Sequence, residues 1–573
     1  MKPAGACTGK SPAGRRRVAQ TLKRKKSGMR LVVDLTKCQG YAQCAFLAPD
    51  VFSIQGDEAL VYDAAPDEAQ HRKILRAAAS CPVQAIQLDR VDEPAGSPRS
   101  PDARKFSPVQ GNGSGATFKR SGRIVIVGAS LTGFRAAERV REEGFSGSLT
   151  VVGDEPSEPY DRPPLSKQAL TGSVPPDQTA LPRRRKIDAD WRLGVAATGL
   201  DLAAKQLHLA DGNRIGFDKL LIATGVRARA WPNPAEAALD GVLTLRTSAD
   251  AALLRQKLDA RPRRVLIIGA GFIGSEIASV CRELELPVTV AEAGAAPLGA
   301  ALGGVIGAIA GDVQRENGVD LRCGIRVTSL EGDAAGRLRR ARLSDGTALE
   351  VDVAVAALGA VRNVEWLAGS GLASGIWGVA CDAGCRAFDA NGVVTDNIFV
   401  AGDVARAPQA MFGYQFLAIE HWGNAFTQAE VAAHNMVSSE AERWPHLAVP
   451  KFWSAQFGNE IKSVGVPSAA DEVVIAQGSV SQRRFLAVYG SKGRIVAAVA
   501  FNQNKWLDFY ESLIEQAAPF PPSFHHVDEP ARRQPVPAGF RPMASPTQDA
   551  TVVVTGHAPS ERRATLMHRP RFP

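Results

Sequence analysis

No run of about 18 apolar residues occurs in the 573-residue chain, so a membrane-spanning helix is not expected. Cysteine is scarce. Eight residues, unevenly placed, do not suit a disulfide scaffold; their clustering suggests a reducing compartment and a metal or redox role. Acidic residues are missing from positions 1–28, which hold nine Lys or Arg, so the rest of the chain balances and the net charge of +9 belongs to one end. This removes the ground for a whole-protein nucleic-acid function, and no nucleic-acid partner is expected. The same stretch lacks the apolar core of a secretory signal, and a cytoplasmic protein is expected. Its composition fits a transit peptide or a basic arm. A third alternative starts translation at Met29, immediately before the strand-like Leu31 to Leu35.

What is present is globular and α/β in character, with 45% hydrophobic residues and 54 glycines, and the length suits about three to four domains. Residues 30–90 carry Cys38-Gln-Gly-Tyr41-Ala-Gln-Cys44 and, after a helical stretch at 67–79, Cys81-Pro82. Bacterial iron–sulfur clusters are held by thiolates in a C-x2-C-x2-C-x3-C run with a cysteine–proline. Cys38 and Cys44 take the first and third places, Tyr41 the second, and Ala48 stands where a fourth cysteine would serve another cluster. Cys81 supplies the remote ligand, giving three thiolates for one cluster. A zinc site fits the spacing poorly. The module resembles the single-cluster ferredoxins that accompany cytochrome P450 enzymes. In that family a missing second cysteine implies a 3Fe-4S cluster, with 4Fe-4S the alternative. Residues 91–120, rich in Pro, Ser and Gly around Gly111, are expected to be a flexible linker.

Two dinucleotide-binding turns follow. In the first, the apolar strand Ile124 to Val127 hands over to a helix through Gly128-x-Ser130-x-x-Gly133, where small residues let the backbone approach a pyrophosphate. The next strand, Ser148 to Val152, ends near Asp154 and Glu155; an acid there hydrogen-bonds a ribose. The second is Gly269-Ala-Gly271-Phe-Ile-Gly274, opening a helix after a strand, with Glu292 following 23 residues after Gly269. A carboxylate there pairs with a free 2′-hydroxyl and repels a 2′-phosphate. No Lys or Arg stands between Glu283 and Arg315, so NADH is expected over NADPH.

Several further motifs occur in order: Pro163-Pro-Leu-Ser-Lys167, Ala223-Thr-Gly225, Leu245-Arg246-Thr247, Ala401-Gly-Asp403 and Glu420-His-Trp422-Gly-Asn424. With them, residues 121–518 closely resemble the oxygenase-coupled NAD(H)-dependent ferredoxin reductases, the putidaredoxin and rubredoxin reductase group. The resemblance implies FAD at the first turn, with Lys167 near the reactive edge of the flavin and Ala197 and Arg246 lining its site. It implies Asp403 on the ribityl chain, Trp422 beside the ring, Asp154 as the ribose acid, and Glu276 paired with Lys167. A helix starting near His421 would aim its positive end at the flavin. Disulfide reductases of this superfamily need a cysteine pair at the flavin, but no cysteine occurs between Cys81 and Cys281, and Cys381 and Cys385 are expected to be structural thiols.

The expected fold is therefore α/β: two Rossmann-type domains, for FAD and NAD, with an N-terminal α+β ferredoxin-like domain and a small C-terminal α+β domain. The expected order is a basic tail at 1–28, ferredoxin domain at 29–90, linker at 91–120, FAD domain at 121–247 and 356–445 around an NAD domain at 248–355, a C-terminal domain at 446–518, and a disordered tail at 519–573. The expected activity is electron transfer from NADH through FAD and the cluster to an external acceptor, a cytochrome P450 or other oxygenase. The alternative is a flavoprotein oxidase or small-molecule reductase with a structural or sensing cluster.

Overall fold

The structure, a computed structural model, describes residues 29–35, 37–38, 43–55, 59–64, 66–81, 85–88, 114–175, 179–409, 412, 414–523, 526–527, 534–535, 550–555 and 563–568. In the N-terminal module, strand Leu31–Val33 pairs antiparallel with Ile86–Leu88. Next to it, Phe52–Gln55 and Ala59–Tyr62 form an antiparallel hairpin. Helix His71–Ser80 buries Ile74 and Ala77 against Leu31, Val33 and Phe52, forming a small core beside which Cys38, Cys44 and Cys81 lie half-buried.

A six-stranded sheet organises the flavin half. Its order is Arg386–Phe388, Val394–Val400, Lys219–Ile222, Arg123–Val127, Ser148–Gly153 and Asp190–Leu193, parallel apart from the first edge strand. Two of its strands arrive after the chain has made a second sheet. Ile124, Ile126 and Val151 face helices Leu131–Glu142 and Trp422–Val437, while Val125 and Val127 face the layer containing Leu200, Leu207 and Leu209. This parallel sheet, covered on both faces, explains the continuous apolar runs.

The second sheet is parallel and five-stranded, in the order Val242–Leu243, Val353–Ala356, Val265–Ile268, Val288–Glu292 and Asp320–Cys323. Helix Ser248–Asp259 leads into it and starts at a capping box in which Thr247 and Asp250 exchange bonds. The C-terminal module is an antiparallel sheet of Lys451–Gln456, Asn459–Gly465, Arg494–Phe501, Arg484–Ser491 and Glu472–Ser479, backed by helix Leu507–Glu515.

Two compositional expectations do not match the structure. The end of the expected linker is helix Ser114–Ser121, held because Phe118 packs on Phe145 with ring centroids 5.5 Å apart and the Lys119 carbonyl accepts from Ser146 and Gly147. In the expected disordered tail, His526–Val527 and Gln534–Pro535 extend the C-terminal sheet, and Ala550–Thr555 pairs with Arg563–His568. The β-branched run Thr551-Val-Val-Val-Thr555 favours a strand despite its Pro- and Arg-rich surroundings. The basic tail, Tyr41, Pro82 and residues 91–113 lie outside the described residues.

Candidate functional site

The glycines of the two turns are fixed by close approach. Gly128 has φ +115°, and a Cβ on it would stand 2.1 Å from the Ala223 carbonyl oxygen; on Gly133 it would stand 1.8 Å from the Gly128 oxygen. Gly274 likewise meets the Gly269 oxygen at 2.0 Å, and Gly269 has φ +101°. Gly271 differs. Nothing lies within 4 Å of its Cβ direction, so space remains where a pyrophosphate approaches. Ser130 and Gly271 are the N-cap residues of helices Leu131–Glu142 and Phe272–Glu283, and neither helix start is closed by a side-chain cap, which suits phosphate binding.

Around the first turn, Arg162 joins three segments of the chain. Its guanidinium donates to Ser130 Oγ at 3.2 Å, to the Arg246 carbonyl at 2.8 Å and to Glu155 at 2.5 Å. Glu155 also accepts from the Tyr160 hydroxyl, leaving Asp154 as the exposed acid at the strand end. Arg246 donates to Asp403 Oδ2 at 3.0 Å. Ala197 opens strand Ala197–Asp201 and packs half-buried against the core beneath the sheet. At the second turn, Glu292 accepts from the Ala270 amide and the Gly294 amide, each at 2.6 Å, so its carboxylate is held at the fingerprint.

The expected Lys167–Glu276 pair is formed at 2.7 Å. Glu276 Oε2 also accepts from Ser166 Oγ at 2.5 Å, and its Oε1 accepts from Ser454 Oγ at 2.6 Å. One buried carboxylate thus joins the flavin half, the second sheet and the C-terminal module. Losing one partner of a fully buried ion pair costs roughly 3–5 kcal/mol. The figure is lower here because Lys167 keeps 17% of its side chain exposed and two serines still bind Glu276.

Trp422 begins helix Trp422–Val437 after His421, with no side-chain cap. Burial pushes the His421 imidazole down to about 4, so it is neutral near pH 7 and the helix start keeps its donors. The indole Nε1 donates to Asp161 Oδ1 at 2.8 Å. Asp161, Arg162, Ser166 and Ser454 were not singled out from sequence. Ser166 lies within the quoted Pro163–Lys167 motif and Asp161 and Arg162 immediately precede it; only their partners, far along the chain, reveal their roles.

In the N-terminal module, the Cys44 thiol is raised by burial and, to a lesser degree, by the nearby Cys38 and Cys81 thiols. The Ala85 amide donates to Cys81 Sγ at 3.4 Å, as amides do to cluster sulfurs. Among the described residues no three His, Cys, Asp or Glu side chains gather tightly enough for a single ion. Three half-buried sulfur donors, one of them accepting from an amide, suit an iron–sulfur cluster by their chemistry. Cys381 and Cys385 are fully buried in core clusters away from this set, with thiols raised by burial.

Two helix N-termini with phosphate cradles, a shared carboxylate between them and a separate thiolate set define a two-dinucleotide flavoprotein with an appended electron carrier. The chain belongs to the pyridine nucleotide-disulphide oxidoreductase family, matched across residues 122–429. Residues 451–530 match the Reductase C-terminal family, and residues 33–88 match the 4Fe-4S single cluster domain of Ferredoxin I. The chain is 35% identical to rhodocoxin reductase of Rhodococcus erythropolis, over 63% of this chain and 82% of that protein. It is 33% identical to the ferredoxin–NAD(+) reductase component of the anthranilate 1,2-dioxygenase system of Burkholderia cepacia, over 69% and 94%. Its fold matches the covalent putidaredoxin reductase–putidaredoxin complex with a TM-score of 0.64 at 27% identity, covering 70% of this chain and 94% of that one. Among the described residues no helix is long and apolar enough to cross a membrane.

Proposed function

We propose that this chain is an NADH-dependent ferredoxin reductase carrying its own ferredoxin, and that it passes electrons from NADH through FAD and the cluster to an external oxygenase. The acceptor we favour is a cytochrome P450, and the working compartment the cytoplasm. The carrying observation is that the thiol-bearing module is seated on the flavin half, with Val32 packed against Phe134 and Leu181 beside Trp422. FAD, when bound, would supply the change from a two-electron donor to single-electron transfer, and Cys38, Cys44 and Cys81 would hold a cluster able to carry single electrons onward. The chain's residues do the rest. Gly128, Ser130, Gly133 and Asp154 hold the flavin nucleotide, Ala197 lines its site, and Asp403, oriented by Arg246, accepts from the ribityl hydroxyls. Gly269, Gly271, Gly274 and Glu292 hold NADH. Lys167, fixed by Glu276, presents its ammonium to the reactive edge of the ring, where negative charge develops on reduction.

The kcat/KM with NADH should exceed that with NADPH by at least about tenfold, because adding a 2′-phosphate beside Glu292 places like charges together. Comparable values would contradict this assignment. The cluster we favour is 3Fe-4S, since Tyr41 stands where the second thiolate would be. Electron paramagnetic resonance of the protein as isolated should then give a signal in the oxidised state. A signal that emerges only on reduction would instead support 4Fe-4S.

A further inference from the structure

The seam between the thiol-bearing module and the flavin half contains one buried carboxylate that takes donors from both sides. Asp161 is 3% exposed. Trp422 Nε1 reaches its Oδ1 from the flavin side at 2.8 Å, and the Tyr62 hydroxyl donates to it from the hairpin of the N-terminal module. Tyr62 is itself buried, and its ring belongs to the module's core with Leu31, Val33 and Phe52.

Other contacts at the seam are less specific. Val174 of the flavin half packs into the module's core, and Arg30 bridges to Glu158 at 2.6 Å with both side chains substantially exposed. Exposed pairs add little and fade with salt. Lys462 of the C-terminal module donates to the Cys38 carbonyl while paired with Glu460 at 3.2 Å, so the loop bearing one thiolate is also anchored. The Tyr62–Asp161–Trp422 chain differs because it leads from the module to the tryptophan placed beside the flavin ring. Asp161 and Tyr62 are withdrawn from bulk water, where an unmet bond is most costly, and Trp422 is half-buried.

We propose that Tyr62 and Asp161 are positioning residues that latch the cluster module onto Trp422, so that electron transfer from flavin to attached cluster depends on a hydrogen bond made between the two modules. This rests on the relay proposed above and specifies what holds it in register. Neither residue need touch a cofactor. Their effect is on how often and how closely the two carriers are juxtaposed, and transfer within one chain is sensitive to that geometry.

The latch has a titratable centre. Asp161 faces the Trp422 indole N–H, the Lys167 ammonium, the Tyr62 hydroxyl and the Asp34 carboxylate of the N-terminal module, and burial, the largest influence, pushes it up to about 6. Released into water, the same carboxyl would ionise in its ordinary range, from 3.8 upward. The seated state therefore binds more protons between those values. Seating is favoured on the acid side and loses that increment as pH rises through about 6, beyond which the dependence flattens.

The test is anaerobic rapid mixing of the full-length protein with NADH, following flavin and cluster absorbance separately and ferricyanide reduction in parallel. Tyr62→Phe keeps the ring and removes the hydroxyl, with its bonds to Asp161 and to the Val33 backbone. It should leave flavin reduction and ferricyanide reduction as in wild type and slow cluster reduction about tenfold, the scale of one buried bond to a charged group. Asp161→Asn keeps an oxygen acceptor and cannot ionise, so it should abolish the inflection near pH 6 in the cluster-reduction step. Wild-type cluster reduction in Tyr62→Phe, or a retained inflection in Asp161→Asn, would overturn the latch while leaving the relay standing. A wild-type cluster that NADH never reduces would overturn the relay, and the latch with it.

Discussion

Cys38→Ala protein is expected to lose NADH-driven cytochrome c reduction by at least about 100-fold, while ferricyanide reduction, which needs only the flavin, continues. Three half-buried thiols lie beside a small apolar core, and burial, with Cys38 and Cys81 nearby, raises the cost of ionising Cys44. Metal-bound cysteines act as thiolates, so removing one removes a third of the sulfur ligands this module offers. No spare thiol stands in the motif, because Tyr41 and Ala48 occupy the other two places. Even removing an outer-shell partner of a metal site commonly lowers affinity or activity about 10–100-fold, so losing a direct ligand should exceed that. Equal cytochrome c rates in variant and wild type would mean that electrons leave directly from the flavin.

The second large effect is at the first turn. Gly133→Ala would put a Cβ 1.8 Å from the Gly128 carbonyl oxygen and 3.1 Å from Ile126 Cγ2. Backbone cannot yield as a flexible side chain can, so helix Leu131–Glu142 must lift from strand Arg123–Val127. Overpacking of this kind typically costs about 1–3 kcal/mol, and here the movement opens the phosphate cradle itself. The purified variant should carry less than about a tenth of the wild-type flavin per chain, measured by visible absorbance, and lose every NADH-dependent activity in proportion; a tenfold fall in bound flavin corresponds to only about 1.4 kcal/mol. Full flavin content would show that Gly133 is not at the cradle. Gly271→Ala is a useful contrast. Its Cβ meets nothing within 4 Å, so that protein should fold and hold FAD while binding NADH more weakly.

Much of this was legible because it is local. The turns at Gly128–Gly133 and Gly269–Gly274 announce themselves through strand, small residues and helix in immediate succession. Lys167 and Glu276 could be paired from the family resemblance, and the structure brings them to 2.7 Å. Ser454, which completes that site, lies 178 residues beyond Glu276, and Trp422 lies 261 residues beyond Asp161, so no pattern in either neighbourhood reports the contact. Tyr62 belongs to no motif in the sequence, and its module's seating is what brings its hydroxyl to Asp161. Composition misled where a few residues outweigh their surroundings. Phe118 secures a helix at the end of a Pro- and Gly-rich stretch, and Thr551–Thr555 forms a strand within a segment that otherwise lacks apolar periodicity.

The proposed relay requires that the flavin's immediate acceptor be the cluster on the same chain. Anaerobic mixing of NADH with the full-length protein over a tenfold range of protein concentration tests this directly, with flavin and cluster followed at separate wavelengths. Transfer between modules on one chain predicts that flavin bleaching is followed by cluster bleaching at a rate constant independent of protein concentration. A cluster rate that rises in proportion to concentration, or a cluster that stays oxidised while the flavin is reduced, would contradict it.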